Sequence, residues 1–207
     1  PNGPPSFTDI STTSGLPAEQ MRSSAMADLD GDGDQDFLAV RDADLAVLRF
    51  ENEGGQFMQQ VVPVDDAPDL RVGTLRLLDH DRDGDFDLLG VDDGTSELLL
   101  YRADATGYTR VPLPHAPDRS RRNGKTPTVV DHDRDGWPDI VYHGGSADDS
   151  FDLLLLRNEG GAFPAAEILV DVPAGDYLGD FVLFDLDNDG DQDIVHGSTE
   201  QAGCLSP

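Results

Sequence analysis

An all-β fold, a β-propeller of four four-stranded blades, is what three observations predict. A nine-residue acidic pattern, Asp-x-Asp-x-Asp-Gly-x-x-Asp, is written four times. The first aspartates of successive copies lie 51, 52 and 54 residues apart. Short runs rich in Val, Ile, Leu and Phe flank each copy, as buried strands of about four to six residues require. A period near 50 residues built from strand-like segments points to a propeller or another repeat array. Four antiparallel strands per period make one blade.

Each element follows in order. A first strand leads into each acidic loop: Ser24-Ala25-Met26-Ala27, Leu75-Arg76-Leu77-Leu78, Pro127-Thr128-Val129-Val130 and Phe181-Val182-Leu183-Phe184. A second leaves it: Phe37-Leu38-Ala39-Val40, Leu88-Leu89-Gly90-Val91, Ile140-Val141-Tyr142 and Ile194-Val195. A third is expected at residues 45–50, 98–101 and 153–156. Then comes a turn, Asn52-Glu53-Gly54-Gly55-Gln56-Phe57 and Asn158-Glu159-Gly160-Gly161-Ala162-Phe163, with a weaker version at residues 103–108. Its paired glycines supply the positive φ angles of a tight hairpin. A fourth strand, as in residues 57–62, closes the unit.

The chain ends complete the count. Asn2 to Phe7 has the spacing of that turn, and the sequence stops near Leu205, where a third strand should run. The expected single domain, residues 1–207, therefore divides into repeats at about 21–70, 71–122, 123–176 and 177–207 plus 1–20. The N-terminal segment Phe7-Thr8-Asp9-Ile10 would join the last blade as its fourth strand and close the ring. The alternative is half of a larger seven- or eight-bladed ring.

Composition narrows the partners. The formal net charge is -28, and the loops hold five, five, four and five of the 42 acidic residues. Such acidity argues against a nucleic-acid backbone as partner. No apolar run approaches the ~18 residues that cross a membrane, so no membrane insertion is expected. The sequence begins at Pro1 without Met or a signal-type segment and reads as a mature or trimmed product. One cysteine, Cys204, forms no intrachain disulfide, and the sequence gives it no role.

Four or five carboxylates within nine residues repel one another, by about 4 kcal/mol per close pair at an effective dielectric of ~20. A hard cation relieves that repulsion, and an all-oxygen donor set points to calcium, about four ions, one per repeat. The candidate ligands are Asp28, Asp30, Asp32, Asp34 and Asp36; Asp79, Asp81, Asp83, Asp85 and Asp87; Asp131, Asp133, Asp135, Trp137 and Asp139; and Asp185, Asp187, Asp189, Asp191 and Asp193. Positions 1, 3 and 5 present carboxylates, Gly at 6 permits the turn, position 7 offers its carbonyl, and the Asp at 9 returns as a bidentate ligand. An EF-hand begins the same way but needs Glu at position 12. Here that position is Ala39, Gly90, Tyr142 and His196. His80 and His132 occupy position 2, where side chains should point outward. Neither they nor His115, His143 and His196 are expected to bind a metal.

With these loops and turns the chain resembles the FG-GAP/VCBS repeat family, the calcium-loop propellers related to integrin α-subunit heads. Residues 7–10 followed by Gly15-Leu16, with the Asn-x-Gly-Gly-x-Phe turns, are similar to a subgroup found in bacterial secreted proteins and in cartilage acidic protein. The resemblance implies calcium held by the named aspartates between the first two strands of each blade. Rings in this family usually have seven blades or so, and this chain has four repeats.

No Gly-x-Ser-x-Gly elbow, His-Glu-x-x-His pair or phosphate loop is present, so no enzyme is expected. The reading is a secreted, cell-surface or periplasmic calcium-binding propeller acting as a non-catalytic, adhesion-type binding or assembly module. Its partner would be a protein or glycan, and a homo-oligomer or larger assembly is possible. One alternative is a lectin-like carbohydrate binder; another is an accessory propeller of a larger secreted enzyme. Alternating strands put the acidic loops and turns on one face. Variable segments 41–44, 92–96, 115–125 and 143–149 fall on the other. Among them Arg119, Arg121, Arg122 and Lys125 form a basic patch that could receive an anionic partner.

Overall fold

The computed structural model describes residues 8–9, 13–64, 72–92, 97–114, 127–145, 151–172 and 177–199. Among them are fourteen strands and no helix. The first sheet is β1 (Met21–Ala27), β2 (Asp36–Arg41), β3 (Val47–Glu53) and β4 (Gln56–Val62). The second is β5 (Val72–Leu78), β6 (Asp87–Asp92), β7 (Leu98–Asp104) and β8 (Gly107–Val111). The third is β9 (Thr128–Val130), β10 (Asp139–Gly145), β11 (Phe151–Leu156) and β12 (Ala166–Val170). A two-stranded sheet follows, β13 (Tyr177–Phe184) and β14 (Asp193–Thr199). Each sheet is antiparallel, with its strands in chain order, so every sheet is a meander of the kind expected for a blade. No helix among the described residues is long and apolar enough to cross a membrane.

Among the described residues, three blades thus carry the expected four strands and the fourth carries two. Of the N-terminal strand expected at residues 7–10, only Thr8 and Asp9 are described, and neither is in a strand. Leu205 and Cys204 lie outside the described residues, so the ring is not seen to close. The basic patch Arg119, Arg121, Arg122 and Lys125 also lies outside them.

The core sits between blades, and the period-two alternation of each strand explains why. Counting from the last aspartate of a loop, the first residue of the second strand faces the preceding blade and the second residue faces the following one. Leu38 and Val40 therefore meet Leu75, Leu88 and Tyr101 of the next blade. Leu78, Leu89 and Leu100 meet Ile140, Tyr142, Leu154 and Phe163. Val141, Leu153 and Leu155 meet Phe181, Leu183 and Ile194. The far face of blade 1, with Ala39, Leu48 and Phe50, packs with Leu16, Met21 and Phe57. At the other end, Val182, Phe184, Leu186 and Val195 are exposed on the last blade. The equivalent of Val195 in blade 3, Val141, is 1% exposed, against 44% for Val195 itself.

One junction is closed by backbone contact. Past β4 the chain runs beside blade 2, where the Tyr108 amide donates to the Pro63 carbonyl at 2.9 Å. Gly107 has φ +145, and a Cβ there would lie 2.2 Å from that same carbonyl oxygen. Only glycine fits so close an approach.

Candidate metal centres in the acidic loops

Each acidic loop joins the first two strands of a blade: loop 1 links β1 and β2, loop 2 β5 and β6, loop 3 β9 and β10, loop 4 β13 and β14. The four share one hydrogen-bond plan. Oδ2 of the position-1 aspartate accepts the amide of the position-6 glycine, at 3.1 Å for Gly33 and Gly84 and 3.0 Å for Gly136 and Gly190. Oδ1 of the position-5 aspartate accepts the position-7 amide of Asp34, Asp85, Trp137 or Asp191 at 2.8–3.0 Å. These bonds wind the loop so that its carboxylates converge. Position 4 takes a left-handed conformation in every copy, with φ +78 at Gly31, +58 at Arg82, +60 at Arg134 and +60 at Asn188.

Position 9 behaves differently. Asp36, Asp87 and Asp139 are buried at the base of their loops. Oδ2 accepts the position-2 amide of Leu29, His80 and His132, as does Asp193 from Leu186. Oδ1 accepts the amide of Asn52, Ala103 or Asn158, at the far end of the blade's third strand, at 2.7–2.8 Å. This carboxylate therefore ties the loop to the sheet, besides facing the cluster. Burial raises the pKa of Asp139, against the lowering effect of those two amide bonds.

Carboxylate oxygens of Asp28, Asp30 and Asp32, of Asp79, Asp81 and Asp83, of Asp131, Asp133 and Asp139, and of Asp185, Asp187 and Asp193 come within 4.8 Å of one another. Oδ1 of Asp81 and Oδ1 of Asp185 are buried without a hydrogen-bond partner. A buried anionic oxygen with no donor is costly unless a cation reaches it. The donors of these four groups are all oxygen, so they fit a hard divalent ion such as calcium; a fifth group, His80 with Asp81 and Asp87, brings one imidazole nitrogen into the same range.

In loops 1 and 2 position 2 does not point outward, whereas Leu186 of loop 4 is exposed. Leu29 packs on the core between blades 1 and 2. His80 is buried, hydrogen-bonds Asp87 through Nδ1, and stacks on Phe163 of the next blade. Burial opposes its charge, but the hydrogen bond and charge of Asp87 prevail and raise its pKa. The outward expectation failed because it treated the loop alone, without the following blade leaning against it.

Sequence reasoning also missed the asparagine of the turn. Asn158 is fully buried; its Nδ2 donates to the His80 carbonyl at 2.8 Å and its Oδ1 accepts the Gly161 amide at 2.7 Å. It links blade 3 to loop 2. The repetition of Asn52 and Asn158 at one offset was the available signal. Arginines were missed too. Arg157 ion-pairs with Asp133, and Arg82 lies across Trp137.

Between blades 1 and 2 lies a groove of about 390 Å³, whose lining includes Arg49, Gln60, Asp85, Asp104, Thr106 and Tyr108. It combines hydrogen-bonding side chains with an aromatic wall.

A family described as an FG-GAP-like repeat matches residues 79–142 and 131–196. The two matches together span more than half of the chain. Among solved structures, a lectin of Agrocybe aegerita, described by its specific recognition of non-reducing terminal N-acetylglucosamine, is similar in fold. The TM-score is 0.59 and the identity 21%, over 84% of this chain and 46% of the lectin chain. The chain thus spans about half the length of that protein. No curated protein matches.

Proposed function

Because the chain belongs to the FG-GAP-like repeat family, we propose that it is a calcium-stabilised, non-catalytic binding module of the extracytoplasmic space. The observation that carries this reading is the convergence of carboxylates in four loops of one plan, with a buried, donorless oxygen on Asp81 and on Asp185. Bound calcium would supply positive charge to carboxylates that otherwise repel. Asp36, Asp87, Asp139 and Asp193 hold the loops to the sheets; positions 1, 3 and 5 would face the ion in loops 1 and 2, and positions 1, 3 and 9 in loops 3 and 4. The span of about half the lectin's length supports the larger-ring alternative, with these blades as one part of it.

Calcium titration tests the reading. Calorimetry should show several calcium ions bound, with little heat from magnesium, whose octahedral demand these loops meet poorly. The melting temperature should rise with calcium and fall in excess chelator, since an ion bound by the folded state alone stabilises by mass action. An unchanged melting temperature would reject it.

A glycan partner is the second reading, supported by the groove between blades 1 and 2 and by the lectin's fold. A glycan array with the calcium-loaded protein separates it from a protein partner. Loss of an array signal in Gln60→Ala, an exposed side chain of that groove, with the melting temperature largely kept, would place the sugar there.

A further inference from the structure

We infer that loop 3 is the weakest of the four cation sites and that Arg157 makes it so, acting as a tethered positive charge which must leave Asp133 before an ion can enter. The inference rests on the calcium reading above and adds an order of filling to it.

The four loops share a plan but not a charge environment. Loop 3 has four carboxylates where the others have five, because Trp137 stands at position 7. Its position-3 carboxylate is engaged on both oxygens. Oδ1 of Asp133 accepts the Asp135 amide at 3.2 Å, and Oδ2 receives Nη1 of Arg157 at 2.6 Å. Among the described residues, no arginine or lysine ion-pairs with a carboxylate of loops 1, 2 or 4. The contrast with loop 2 is direct, since Oδ1 of the matching Asp81 is buried and lacks a donor.

A second guanidinium leans on loop 3 from the preceding blade. The Arg82 Cζ lies 4.5 Å from the centre of the Trp137 ring. A Cβ on Gly136 would come within 2.1 Å of Arg82 Nη2, so glycine at position 6 also makes room for that contact. Loop 4 has a matching neighbour, since a Cβ on Gly190 would lie 3.4 Å from Arg134 Nη1. What sets loop 3 apart is the missing fifth carboxylate together with the Arg157 pair, both of which lower the attraction for a divalent ion.

Arg157 has somewhere else to go. Its Nε already lies 3.3 Å from Oε1 of Glu167, which sits on β12 beside Leu155 of β11. Release of Asp133 lets the guanidinium turn wholly to Glu167, so filling loop 3 tightens the outer edge of blade 3. In blade 1 the residue at the matching place, directly before the turn asparagine, is Glu51. The same position in the repeat thus carries opposite charge in blades 1 and 3.

The chain carries its own reporter. Trp137 is the one tryptophan of the sequence and lies in loop 3. Its emission follows that loop, while calorimetry follows all of them. Titrating the full chain with calcium should give a Trp137 midpoint about tenfold or more above the midpoint of the first heat released. In Arg157→Gln the tryptophan midpoint should fall about tenfold towards the others. In Glu167→Gln, which removes the competing partner, it should move the opposite way. Coincident midpoints in the unmodified protein, or a tryptophan midpoint that neither substitution moves, would overturn the inference while leaving calcium binding intact. Emission that stays flat in both the unmodified protein and Arg157→Gln while heat is released would overturn it too. Absence of calcium heat altogether would instead remove the calcium reading and this inference with it.

Discussion

At the scale of single residues, aspartates of identical type in one loop do different things. The position-9 carboxylate accepts two backbone amides from separate parts of the blade, whereas the position-3 carboxylates mostly serve their own loop. Asp139→Asn keeps size but replaces one acceptor oxygen by a donor. It should cost about 1–3 kcal/mol even in excess chelator, because a buried amide loses its partner. Asp30→Asn should leave the chelated protein's stability nearly unchanged and weaken only calcium binding. Urea unfolding with chelator present compares the two, and equal losses would contradict the division of roles. Tyrosines give a pH signature. Burial pushes the phenols of Tyr108 and Tyr142 up to about 12. In the unfolded chain they ionise near ~10, so their contribution is intact below that pH and disappears as pH rises through about 12. Thermal melts should show a fall beginning above pH ~10, and Tyr108→Phe, which cannot ionise, should flatten it. Superimposable pH profiles for the two proteins would refute this.

At the scale of elements, the blades were legible because their signals are local. Acid spacing, strand length and paired glycines all lie within a few residues of one another, and three of the four expected meanders appear complete. What stayed hidden depends on residues distant in sequence. The tie from Asp139 to Asn158 spans 19 residues, that from Asn158 to His80 spans 78, and the Arg157–Asp133 pair spans 24. No pattern within one loop announces such contacts. His80 was misread for the same reason: its surroundings are supplied by Phe163 of another blade. The junction of blades 1 and 2 offers a sharp test of an element boundary. Gly107→Ala would push a methyl group into the Pro63 carbonyl and also strain the backbone at φ +145. A loss of about 2–4 kcal/mol is expected from overpacking and conformation together. Denaturant unfolding measures it, and a loss below ~0.5 kcal/mol would mean that the two segments separate freely.

At the scale of the whole molecule, stability is a sum of nearest-neighbour contacts, as in other repeat arrays. Each blade lends one side chain series forwards and one backwards, so equivalent positions reveal what a junction contributes. Val141 is covered by the last blade, whereas Val195 holds the same place on that blade and is 44% exposed. Val141→Ala should therefore cost about 1–2.5 kcal/mol and Val195→Ala well under 1. Equal costs, read from paired melts, would show that a cover lies over the final sheet. The acidic loops add a direction to this stacking. Leu29 and His80 at position 2, and Arg82 at position 4, all reach towards the blade that comes next. The loops overlap like roof tiles laid from the N-terminal side, each sheltering its successor. A lesion in one tile is then felt downstream first: disordering loop 2 uncovers Phe163 and frees Trp137, while the tile above it stays seated.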